Sequence, residues 1–83
     1  MLTDERTVVR QKLRTELRNA RKRVGLTQKE VAAAMDWSPS KMLRIEAGAV
    51  GISTNDLRAL LDCYNIDDQR QTDELLSLVR GSR

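Results

Sequence analysis

The 83-residue chain has no histidine, no phenylalanine, one cysteine and one proline. Without histidine, the lone Cys63 leaves no ligand set for a zinc site, and no internal disulfide can form. A single cysteine is also the usage expected of a reducing compartment. Trp37 and Tyr64 are the only aromatics, so a core must be assembled from Leu, Val, Ile, Met and Ala. No apolar run approaches the length of a membrane span, and the first residues lack the apolar stretch of a secretion signal. We therefore expect a cytoplasmic protein with no metal and no cofactor. Catalysis has little to draw on: no serine has a base beside it, and no glycine-rich phosphate loop follows a strand. The adjacent carboxylates Asp67 and Asp68 suit a helix start better than an acid–base pair. An enzyme is not expected.

Four glycines and one proline among many Leu, Arg and Ala residues favour an all-helical chain. Its length allows one domain with a small core, near the lower limit for folding without a staple. Fifteen Lys and Arg against twelve Asp and Glu give a net charge of +3. That balance leans toward nucleic acid, although many small helical domains share it.

Thr27 to Glu46 carries the most information. Thr27 and Glu30 form a capping box, in which the hydroxyl accepts from the third amide and the carboxylate reaches back to the cap amide. Val31, Ala32 and Met35 then share one helical face. Ser38-Pro39 opens a second helix, a capping hydroxyl followed by a ring whose missing N–H costs nothing there. Only Asp36-Trp37 lies between, and two helices joined so tightly must cross steeply, as in a helix-turn-helix. Asp36 sits where a left-handed residue is needed, which Asp tolerates better than most. Around the second helix, Met42, Ile45 and Glu46 fall opposite Ser40, Lys41 and Arg44. The outer face is thus polar, cationic and suited to a major groove.

The rest of the chain supplies three more helices. From about residue 8 to 24, Val9, Leu13, Leu17, Ala20 and Val24 form an apolar stripe, ended by Gly25. Arg10, Arg14 and Arg18, with Arg21 and Lys22 beyond, flank it either as a solvated face or as a rim adding to the field seen by DNA. Residues 1–6 read as a flexible tail, with Asp4 or Thr7 as a cap, and residues 81–83 as a second tail. The domain is expected over residues 7–80. After the uncharged connection Ala47 to Ile52, Ser53 to Asp56 reads as a second capping box opening a helix to about Tyr64, with Leu57, Leu60, Leu61 and Tyr64 inward. Cys63 beside that face reads as packing. Asp67 or Asp68 caps a fifth helix through Arg80, with Leu75, Leu76, Leu78 and Val79 apolar. Four such residues exceed what so small a core is expected to bury, which suggests a second copy of the chain.

Gly25-Leu26-Thr27-Gln28-Lys29-Glu30-Val31-Ala32, together with Ser38-Pro39-Ser40-Lys41 and Ile45-Glu46-Ala47-Gly48, resembles the λ-repressor/XRE family of helix-turn-helix domains. The resemblance runs from about Leu13 to Val79. Asp56 to Asp62 and Tyr64-Asn65-Ile66 resemble more narrowly its WhiJ-like bacterial branch. It implies a compact all-α, five-helix, λ-repressor-like domain that binds double-stranded DNA and regulates transcription, by repression at a promoter. It also implies a homodimer on a two-fold operator. By the same resemblance, Pro39, Ser40, Lys41 and Arg44 match positions that face base edges. Arg44 is the strongest, since a guanidinium can donate twice to guanine O6 and N7. Thr27, Gln28, Lys29 and Ser38 match phosphate-contacting positions, Gln28 adding its amide to the free amides of a helix start. Glu46 matches a glutamate that pairs with a first-helix arginine, here Arg21.

Two features depart from the family. Asp36 stands where glycine is usual, placing a carboxylate near the DNA. Residues 47–54 carry no charge where phosphate contacts are common, so backbone amides at Gly48 to Gly51 are expected to substitute. The alternative use of the same motif is an antitoxin-like or adapter protein, whose main partner is another small protein.

Overall fold

A computed structural model describes residues 5–81, which fold into five helices and no strands. They are α1 (Glu5–Arg23), α2 (Gln28–Met35), α3 (Pro39–Ala47), α4 (Thr54–Cys63) and α5 (Gln69–Gly81). The proposed cap at Asp4 lies outside the described residues. Glu5 and Arg6 are already helical and Thr7 lies inside α1, so the helix starts before the expected tail ends.

The starts of the three central helices are written in hydroxyl side chains. Thr27 accepts from the Glu30 amide at 3.1 Å, while the Glu30 carboxylate accepts from the Thr27 amide at 3.0 Å. Ser38 accepts from the Lys41 amide at 3.1 Å, with Pro39 in the first turn. Ser53 accepts from the Asp56 amide at 3.1 Å. The expected second capping box is only half made, because the Asp56 carboxylate turns to Lys41 instead. Asp68 serves α5, its carboxylate accepting from the Arg70 amide at 3.1 Å.

The first four helices end alike. Gly25, Asp36, Gly48 and Asn65 all have left-handed φ, between 58° and 77°. The next amide in each case reaches back five residues: Leu26 to Arg21, Trp37 to Ala32, Ala49 to Arg44 and Ile66 to Leu61, at 2.8–3.2 Å. This double closure satisfies carbonyls that a helix end leaves open. It turns the chain sharply enough that consecutive short helices pack round one centre. Asp36 takes this conformation without a glycine, as its short polar side chain allows.

The centre is filled from every element. Leu13, Leu17 and Ala20 of α1 meet Val31 and Ala32 of α2, Met42 of α3, Leu57, Leu60 and Leu61 of α4, and Leu75, Leu76 and Val79 of α5. Ala32 lies where α2 crosses α3 and is buried, as its small size suggests. The surplus expected on α5 does not exist: Leu75, Leu76 and Val79 are all buried within the chain, and Leu78 is half-buried against the same core. The five helices close round their core more completely than the count of leucines suggested, since α1 and α5 pack along each other. Unburied leucines therefore give no argument for a dimer. Among the described residues no helix is long and apolar enough to cross a membrane.

Gly48 is needed twice over. Its φ is +74°, and a Cβ there would lie 2.5 Å from Cδ of Arg14, whereas one at Gly51 would meet nothing within 4 Å. Gly48→Ala should cost about 1–2 kcal/mol from the left-handed backbone, more if Arg14 is displaced. Gly51→Ala should leave the urea midpoint nearly unchanged. The α2 cap makes a second prediction. The Thr27 backbone amide and then the Thr27 hydroxyl hold the Glu30 carboxyl below its ordinary 4.5. A carboxyl depressed on folding adds stability above its unfolded value, lost as pH falls through the folded one. Glu30→Gln should therefore flatten the pH dependence of unfolding below about pH 4.5 and leave its slope at neutral pH unchanged.

Candidate nucleic-acid interface

The amphipathic division of α3 sets up the site. Met42, Ile45 and Glu46 are buried, while Pro39, Ser40, Leu43 and Arg44 lie exposed on the other side. The start of α2 stands beside the last turn of α3, to which Gln28 is bonded through Glu46. Thr27 and Lys29 are exposed there, and Ser38 is exposed at the start of α3. The hydroxyls of Thr27 and Ser38 are already engaged as caps.

A buried carboxylate ties the two helices to α1. Glu46 is only 3% exposed, yet it accepts from Arg21 Nε at 2.6 Å and from Arg21 Nη2 at 3.1 Å. The third Arg21 nitrogen, Nη1, donates to the Leu26 carbonyl at 2.8 Å. The hydrogen bond to Glu46 raises the guanidinium above its ordinary value, against burial that lowers it. Gln28 joins the same group, its Nε2 donating to Glu46 Oε1 at 3.1 Å. The half-buried glutamine is thereby held by α3, and one amide hydrogen and the carbonyl are not used in that bond. Buried nearby, the Tyr64 hydroxyl is pushed upward by desolvation first and by the Glu46 charge second. It stays protonated across the physiological range.

Two cations of α3 differ in their surroundings. Arg44 is exposed and in the last turn of the helix. Lys41 is half-buried: its Nζ lies 3.5 Å from Asp56 Oδ2 of α4 and 4.4 Å from the centre of the Trp37 ring. A cation over an indole face is attracted by the ring quadrupole. The sequence signals for both contacts were weak, since Asp56 reads as a helix-capping residue fifteen positions away and Trp37 as one of the two residues linking the helices.

The uncharged connection after α3 is arranged differently from expectation. The Gly48 and Ala49 amides donate to Ile45 and Arg44 carbonyls, so neither is left for a phosphate. The charge beside this loop comes from α1 instead. Arg14 lies across Gly48, and its Nη1 donates to the Ala47 carbonyl at 2.7 Å. This gives one arginine of the first-helix rim a defined place at the end of α3, where a cation also favours the helix dipole.

Helices α2 and α3, joined through the left-handed Asp36, with Ser40 and Arg44 exposed on the outer face, define a helix-turn-helix protein. The chain belongs to the helix-turn-helix domain family, which it matches over residues 12–75. No curated protein and no solved structure matches it. That family implies binding to DNA.

Removing one partner of a desolvated ion pair costs far more than replacing both. Glu46→Ala should destabilise the domain by about 3–5 kcal/mol, as measured by urea unfolding. The double variant Arg21→Met/Glu46→Leu should lose less than Glu46→Ala alone. A double variant less stable than Glu46→Ala would mean that the charges are not coupled.

Proposed function

We propose that this chain is a sequence-specific, double-stranded DNA-binding domain of the λ-repressor/XRE kind, from a bacterial transcriptional regulator of the WhiJ-like branch. The observation that carries this reading is the bare outer side of α3, where Pro39, Ser40 and Arg44 stand clear while Met42, Ile45 and Glu46 anchor the helix. A helix so held fits a major groove with its short side chains at the leading end. Arg44 reads a base edge, best a guanine through O6 and N7. Pro39, Ser40 and Lys41 approach the same edges. Thr27, Gln28, Lys29 and Ser38 contact phosphate, and the Glu46 bond orients Gln28 for this role. Arg14 adds positive charge at the far end of α3.

Regulation follows by occupancy: a domain seated on a promoter blocks it, and repression is the reading we propose. Two copies on a two-fold operator would place their α3 helices about 34–36 Å apart, one helical turn. The protein works in the cytoplasm, at the nucleoid.

Binding is tested by fluorescence anisotropy on a duplex selected from a random pool. Affinity should fall steeply with salt, by about 0.9 in log K per log salt for each phosphate neutralised. Arg44→Ala should cost about 1–3 kcal/mol on the selected site and relax the preference at one position. Lys29→Ala should weaken all sequences about equally. If Arg44→Ala and Lys41→Ala both leave DNA affinity unchanged, the outer face of α3 is not the binding surface and the protein-adapter reading replaces this one.

A further inference from the structure

Asp56 and Glu30 occupy the same place in their helices, the third residue after a capping hydroxyl. Each amide is taken by that hydroxyl, Ser53 in one case and Thr27 in the other. Their carboxylates go different ways. Glu30 folds back on the Thr27 amide. Asp56, one methylene shorter, is directed out of α4 toward the start of α3, where its Oδ2 meets Lys41 Nζ at 3.5 Å. Lys41 is held from a second side by the Trp37 ring, 4.4 Å from the ammonium.

Both members of the ion pair are more than a third exposed, at 40% and 37%. Such pairs add little to folding stability, because water screens them and ordering two side chains opposes the gain. The pair sits, however, on the side of the molecule that the reading above gives to DNA. On binding it acts in a different way, since phosphate must compete with the carboxylate for the same ammonium.

We propose that Asp56 is a specificity-determining residue, acting through Lys41. This rests on the DNA-binding reading of α3. Held between Asp56 and Trp37, Lys41 cannot swing to whichever phosphate is nearest without leaving both partners. On a random duplex, where base-edge acceptors are out of register, Lys41 meets mainly phosphates, which exchange one anion for another. A correct site also offers Lys41 a base-edge acceptor within the arc its tether allows. Asp56 therefore lowers affinity for random DNA more than for the preferred sequence, and widens the ratio between them.

The test is a cycle of wild type, Asp56→Asn, Lys41→Ala and the double variant on short duplexes of random sequence, read by anisotropy over a salt series. The Asp56 amide bond to Ser53 uses the backbone and survives the substitution. Asp56→Asn should raise random-DNA affinity about two- to fivefold at 0.1 M salt and steepen the salt slope by about 0.9, as one more phosphate contact would. On the selected duplex the gain should be smaller. In the Lys41→Ala background, Asp56→Asn should change neither quantity. An equal gain in both backgrounds would overturn the proposal, because Asp56 would then act only as a repulsive charge. No gain with Lys41 present would overturn it as well. Asp56→Ser provides the same comparison through a second side chain. If the wild type itself shows no salt-dependent binding to any duplex, it is the DNA-binding reading that fails, a result distinct from both of these.

Discussion

The carboxylate of Glu46 is the constraint on which the rest of the molecule turns. A buried negative charge is tolerated only where donors surround it, and here three come from two elements: two from Arg21 on α1 and one from Gln28 at the start of α2. Arg21 also holds the carbonyl of Leu26, in the turn that leads into α2. Displacing α3 along its axis by one residue would pull that charge away from its donors. An apolar contact in the same place would tolerate such a slip far better. The ion pair thus fixes the register of α3 against two other helices, and through it which side chains face outward.

Fixing the inner side of a nine-residue helix settles its outer side, because the two are related by the helical period. Yet two cations on that helix end in different states. Arg44 projects into solvent, whereas Lys41 leans across the turn onto Trp37 and Asp56. The difference lies in what each reaches, not in charge. Lys41 reaches Asp56 of α4, whereas Arg44, one turn later, is exposed. Charge on a surface of this kind is partly internally compensated, so a net +3 overstates what a phosphate meets at Lys41 and understates what it meets near Arg14 and Arg44.

The helix ends carry the fold as much as the core does. Four helices close with a left-handed residue and a paired set of backward bonds, although only two of the four use glycine. Each closure is followed by Leu26, Trp37, Ala49 or Ile66. Three of these, all but Ala49, cover the edge of the core. At three of the four stops the residue that follows therefore begins the packing against the core, which is how so short a chain with no internal disulfide surrounds a single centre. The price in conformational freedom is confined to a few turn positions.

Much of this was legible in the order of residues. The hydroxyl caps, the spacing of Leu13, Leu17 and Ala20, the left-handed turn at Asp36 and the division of α3 are local features, set by interactions within a few positions along the chain. Arg21 opposite Glu46 was legible only through family resemblance, since no local rule connects residues twenty-five apart. Three things were decided by tertiary packing alone. The α5 leucines are covered because α1 lies alongside. The Asp56 carboxylate leaves its own cap because Lys41 stands within reach, and Arg14 settles on the end of α3, where two of the four loop amides are bonded within the chain. A side chain's local options follow from its neighbours in sequence, whereas which option it takes depends on charges and surfaces brought close by helices that are distant along the chain.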